Sequence, residues 1–182
     1  MRVPRTATVL TMAIAAGAAF AHPVHEVVQN AYLTLSPGTV GLELELTVGP
    51  QVAGKVIRAL DSNGDRRISP AEAHAYADRV LAQSRLTINR RPLAIRTLSL
   101  EMPSYAALLG AHGTIRVIAA AARPDWTGVA TLAYRNGYSP AESRCDANIF
   151  VKAGGRTAYR IRGQERSPDG RALVVHYSTT TG

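Results

Sequence analysis

Thr39-Val40-Gly41-Leu42-Glu43-Leu44-Glu45-Leu46-Thr47-Val48 is the stretch that decides the fold class. Val40, Leu42, Leu44, Leu46 and Val48 alternate with Gly41, Glu43, Glu45 and Thr47, a period of two. Only an extended strand turns successive side chains to opposite faces, so one face of this segment is apolar and the other wet. Upstream, Val27 to Leu35 has β-branched and aromatic content and ends at Ser36-Pro37-Gly38. The two segments therefore predict an antiparallel hairpin.

Downstream of Gly49-Pro50 the period changes. Val52, Val56, Ile57 and Leu60 recur at helical spacing, and Pro70 to Gln83 holds Ala71, Ala75, Val80 and Leu81 among good helix formers. Ser69 suits the cap of this second helix, Pro70 its first position, and Glu72 completes a Ser-x-x-Glu capping box. Strands return at Leu86 and Ile88, then beyond Asn89-Arg90-Arg91-Pro92 at Leu93, Ile95, Leu98 and Leu100. Asn89 tolerates positive φ, whereas Arg90 is a poor second turn residue. Tyr105 to Leu109 reads as one helical turn. Thr114–Ala122, Gly128–Tyr134, Ala147–Val151, Thr157–Arg162 and Arg171–Tyr177 read as strands, with turns at Arg123-Pro124-Asp125 and Ser167-Pro168-Asp169-Gly170. Eight or nine short strands between turn signals predict a mainly β, β-sandwich-like domain over residues 22–182, with a helix-loop-helix inserted at 50–83.

The loop between the helices carries the one chemically specific motif: Asp61-Ser62-Asn63-Gly64-Asp65-Arg66-Arg67-Ile68-Ser69-Pro70-Ala71-Glu72. It resembles the twelve-residue EF-hand calcium loop, with Asp61, Asn63 and Asp65 at positions 1, 3 and 5, Ser69 at 9 and Glu72 at 12. The resemblance covers Gln51 to about Gln83. It implies a Ca²⁺ site built from Asp61, Asn63, Asp65, the main-chain carbonyl of Arg67, Ser69 and Glu72, with Ile68 fastening the loop to the core or to a partner loop. Position 6, where the chain takes positive φ and glycine is usual, is Arg66. Holding a non-glycine residue there costs on the order of 1 kcal/mol, and Arg66 and Arg67 both oppose a cation. The expected affinity is that of extracellular modules, roughly 10⁻⁴ to 10⁻³ M. EF-hands usually pair and this chain has one, which favours a structural ion over a switch; a homodimer would supply the missing partner loop. The layout resembles bacterial secreted proteins with an EF-hand set in a β domain, and that resemblance supplies no activity.

The N-terminus sets the compartment. Arg2 and Arg5 precede a mostly apolar run, Ala7 to Ala21, that closes on Ala19-Phe20-Ala21. This predicts a signal peptide over residues 1–21 and a secreted or periplasmic product with no later transmembrane helix. Cleavage removes Arg2 and Arg5 and lowers the formal charge from +8 to +6. Basic residues comprise 19 arginines against two lysines, without interleaved stacking aromatics, which argues against nucleic acid. The Arg-rich C-terminal part instead suggests an envelope or membrane-protein partner.

Cleavage after Ala21 would expose His22, whose amine and ring nitrogen form a chelate. The arrangement resembles periplasmic copper-binding β-sandwich proteins and lytic polysaccharide monooxygenases. That resemblance implies Cu²⁺ as an alternative metal, with a second ligand from His25, His112 or His176. The lone Cys145 excludes an intramolecular disulfide and any thiolate cluster within one chain. No Ser-His-Asp order, phosphate loop or dinucleotide fingerprint stands out, and Glu43 and Glu45 read as a solvated strand face. The expectation is a non-enzymatic binding or structural module.

Overall fold

The computed structural model describes residues 25–123 and 127–181. The proposed signal peptide, His22 and the Pro124-Asp125 part of one expected turn lie outside the described residues. In chain order the elements are β1 (Val27–Ser36), β2 (Thr39–Val48), α1 (Ala53–Leu60), α2 (Pro70–Ala82), β3 (Ser84–Ile88), β4 (Arg91–Pro92), β5 (Ile95–Glu101), α3 (Tyr105–Leu109), β6 (Thr114–Ala122), β7 (Gly128–Asn136), β8 (Ser143–Val151), β9 (Thr157–Arg166) and β10 (Ala172–Thr181). The strands form two five-stranded sheets, ordered β5-β6-β2-β1-β8 and β4-β3-β7-β10-β9. The chain is thus mainly β and sandwich-like.

The alternation of β2 has the predicted consequence. Val40, Leu42, Leu44, Leu46 and Val48 are buried, and β2 pairs antiparallel with β1, Val27 opposite Val48 and Ser36 opposite Thr39. Leu33, Leu35, Ile115 and Val117 complete the inner face of this first sheet. Leu86, Leu132, Leu173, Val175 and Tyr177 face them from the second. Each such buried aliphatic side chain contributes about 1.5–3 kcal/mol relative to exposure. Helices α1 and α2 lie in the connection from β2 of the first sheet to β3 of the second. Val56, Ile57 and Leu60 of α1 and Tyr76, Ala77 and Val80 of α2 join the same core.

Three features depart from the sequence reading. The β3–β4 turn holds Asn89 at φ 48° and Arg90 at φ 67°, the primed geometry that matches strand twist. Arg90 is carried there because Asn89 is locked to β7: its N–H donates to the Thr131 carbonyl at 2.9 Å, and its Oδ1 accepts from Thr131 N at 2.9 Å. Second, ten strands occur among the described residues, since Arg91–Pro92 makes a short one of its own. Third, β8 starts at Ser143 rather than Ala147, because Ser143 to Asp146 pair with β1 in parallel register, Val27 opposite Ser143. Ladder hydrogen bonds overrule the low strand preference of that polar run.

Candidate metal centre

Helix α1 ends at Leu60 with Asp61 as its C-cap, and α2 begins at Pro70 behind the Ser69 N-cap. Ser69 Oγ accepts from Glu72 N at 3.3 Å, while Ser69 N and Oγ donate to Glu72 Oε2 at 3.0 and 2.8 Å. The capping box read from the sequence is therefore present, with Pro70 in the first turn.

Between the helices the chain wraps around the Asp61 carboxylate. Oδ1 accepts from Gly64 N at 2.8 Å and Asp65 N at 3.1 Å, and Oδ2 from Arg66 N at 3.0 Å. Asn63 Oδ1 accepts from Asp65 N, Asp65 Oδ1 accepts from Arg67 N, and Asn63 Nδ2 donates to Asp65 Oδ2 at 3.3 Å. The tight winding needs left-handed backbone at two positions: Gly64 has φ 75° and Arg66 φ 61°. Gly64 takes this conformation freely, and Arg66 is held in it by the bond from its N–H to Asp61.

Glu72 closes the ring. Its Oε1 accepts from Ser62 N at 2.8 Å and Ser62 Oγ at 3.0 Å, which ties the first turn of α2 to the start of the loop. Donation from the Ser69 backbone, then from the Ser69 hydroxyl and from Ser62, pulls the Glu72 carboxyl down from 4.5 to about 2. Ser62 escaped the sequence reading, because position 2 of such a loop is not a ligand position and nothing local marks it. Ile68 is partly buried and packs against the chain's own core.

The loop thus gathers the side chains of Asp61, Asn63 and Asp65 in one turn and joins Glu72 to it through Ser62. Among the described residues, however, no group of three or more His, Cys, Asp or Glu side chains is placed to hold a metal ion. The physical reason lies in the hydrogen bonds: Asp61 is turned to three backbone N–H groups, and both oxygens of Glu72 are engaged by serines. The oxygen donors and the backbone path fit a hard cation. Gathering them needs Glu72 to exchange serine donors for the ion, and the Ser69 hydroxyl to leave its cap.

The remaining histidines are scattered. His25 Nδ1 lies 2.6 Å from Gln51 Oε1, His112 follows α3, and His176 on β10 contacts Thr131 Oγ1 at 3.0 Å and lies 3.9 Å from Glu165. His74 is exposed on α2. Cys145 is buried in β8, and burial pushes its thiol up, against a nucleophilic role. Glu43 and Glu45 share one face with Arg116, which also pairs with Glu101 at 2.8 Å, so their charges are spent on an exposed ion-pair network. Compared with protein-family models, with curated proteins and with solved structures, the chain matches none.

Proposed function

We propose that this protein is an exported, non-enzymatic structural or interaction module whose EF-hand-like loop binds one calcium ion weakly. The ligands are Asp61, Asn63, Asp65, the Arg67 carbonyl, Ser69 and Glu72. Bound Ca²⁺ supplies positive charge that holds the carboxylates of both helix ends together. The chain's own residues do the rest: Asp61 organises the loop amides, Ile68 anchors the loop to the core, and Glu72 joins α2 to the first turn. Export rests on Arg2, Arg5 and the apolar run ending at Ala21.

The observation that carries the reading is Arg66 at φ 61°. Positive φ alone marks no ion, since Arg90 takes φ 67° in the β3–β4 turn; what supports the reading is where Arg66 stands in the loop. Here it sits at position 6, where the calcium loop requires positive φ.

At tenfold excess over the dissociation constant, binding adds about 1.4 kcal/mol of stability, a rise of roughly 3–6 °C in melting temperature for a chain of this size. Glu72→Gln keeps the capping-box geometry, since glutamine serves there too, but removes the charge. The expected result is a calcium-dependent rise in wild-type melting temperature between EDTA and about 10 mM Ca²⁺ that Glu72→Gln abolishes. Superimposable wild-type curves in the two solutions would refute the calcium reading.

A further inference from the structure

Strand β8 forms one edge of the first sheet, with β1 on one side and, among the described residues, no strand on the other. The register fixes which of its backbone groups look outward. Val27 N donates to the Glu142 carbonyl and Lys152 N to the Leu35 carbonyl, so the even-numbered residues of β8 bond to β1 and the odd-numbered ones turn away. Over the first half of the strand the outward side is covered. Gly170 lies against the Cys145 carbonyl, the Ala147 N–H donates to Asp146 Oδ1 at 2.8 Å, and the Ala147 carbonyl accepts from Arg166 Nε at 3.1 Å. There the cover stops. Among the described residues, nothing hydrogen-bonds to the outward N–H and C=O groups of Ile149 and Val151.

The side chains of this open end are apolar as well. Phe150 is 53% exposed on the outer face, with its ring 6.3 Å from that of Tyr32 between centroids, and Val151 is 46% exposed. The other sheet edges are guarded. β4 has two residues, one of them Pro92, β5 is broken by a register shift between Thr97 and Ser99, and β9 carries Arg160, Arg162, Glu165 and Arg166. From Asn148 to Val151, β8 has no charge, proline or bulge.

We propose that this open end of β8 pairs with the same segment of a second copy of the chain, across a two-fold axis through Phe150. An axis perpendicular to the sheet makes the two strands antiparallel. Within β8, one register alone matches each free outward residue with another: Ile149 stands opposite Val151 of the second copy, and Val151 opposite its Ile149. Each such pair exchanges both N–H···O=C bonds. Phe150 then meets its own copy at the intervening non-hydrogen-bonded position, where Cα atoms stand about 4.5 Å apart and side chains are closest. Aromatic cross-strand pairs are favourable. On the same face Lys152 falls opposite Asn148 of the second copy and diagonal to its Asp146, an opposite charge. The segment is thus complementary to itself in backbone, apolar surface and charge, which favours a second copy over a foreign strand. Ile68 packs on the chain's own core, so this pairing is separate from the calcium loop. The contact is short and belongs to the weak class of interfaces, below about 1,200 Å².

Sedimentation equilibrium in EDTA, at loading concentrations up to about 1 mM, tests it. The wild-type mass should climb with concentration from that of one chain toward twice that value. Phe150→Lys sets like charges across the axis and should weaken association by about tenfold or more, whereas Leu98→Lys, on the opposite edge strand of the same sheet, should change it by less than about twofold. Both residues are exposed, so both variants should keep the wild-type melting profile. Phe150→Cys supplies a second readout. A Cα separation of about 4.5 Å lies within disulfide reach, so oxidised glutathione should join two chains through position 150, while Leu98→Cys at equal concentration should stay unlinked. A one-chain mass at every concentration, association unchanged by Phe150→Lys, equal weakening by the two lysine variants, or equal cross-linking of the two cysteine variants would each overturn the proposal. So would a monomer whose β8 edge binds the strand-forming peptide acetyl-Thr-Val-Thr-Val-Thr-amide, since that result assigns the edge to a foreign strand.

Discussion

Gly170 offers the sharpest test of how the sandwich is closed at its β8–β9 edge. The turn Ser167–Gly170 links β9 to β10, and Gly170 N donates to the Ser167 carbonyl at 2.9 Å. Gly170 has φ 68°, and a Cβ placed on it would sit 2.7 Å from the carbonyl carbon of Cys145 in β8, closer still to its oxygen. The obstacle is backbone, held by pairing with β1, so it cannot swing aside as a flexible side chain would. Gly38 supplies the matched control: its φ is 69°, and nothing lies within 4 Å of its added Cβ. Alanine at Gly38 therefore bears the left-handed strain of about 1 kcal/mol, partly offset by a less disordered unfolded chain, and should destabilise by less than about 1 kcal/mol. Alanine at Gly170 bears the same terms plus overpacking against a strand, which adds about 2–3 kcal/mol or more. Urea unfolding followed by circular dichroism should thus show Gly170→Ala at least about 2 kcal/mol less stable than Gly38→Ala, equivalent to roughly 4–8 °C in melting temperature for a domain of this size. Equal losses in the two variants would refute the claim that this turn docks on the β8 backbone.

Two further outcomes follow from the perturbed groups. The Glu72 carboxyl is held at about 2 in the folded chain against an ordinary 4.5, so its contribution is complete above about pH 4.5 and fades as pH falls toward 2; in EDTA, the stability difference between wild type and Glu72→Gln, read from urea midpoints at several pH values, should shrink over that window, and parallel profiles would contradict the assignment. Cys145 is buried with its thiol pushed up, so a thiol reagent near neutral pH should label it slowly in the native protein and rapidly in urea, and labelling at equal rates would show that β8 leaves this edge exposed.

The parts of this protein that could be read from the chain are those whose cause is local. The two-residue period of Val40 to Val48 allows one conformation only, and the Ser69-Pro70-Ala71-Glu72 box works across a single helical turn. The same holds for the loop motif, because alternate residues from Asp61 to Asp65 meet the backbone within a few residues of themselves. Ser62, by contrast, became part of the site only when α2 folded back far enough for Glu72 to reach it.

What the tertiary structure decided are pairings between distant residues. The parallel match of β1 with β8, the Cys145 carbonyl that requires glycine at 170, and the convergence of Glu43, Glu45 and Glu101 on Arg116 all join segments far apart in the chain. Periodicity says which face of a strand is buried but not which strand lies beside it. That choice is made by the sum of many weak cross-strand contacts and side-chain packing, which no single segment contains.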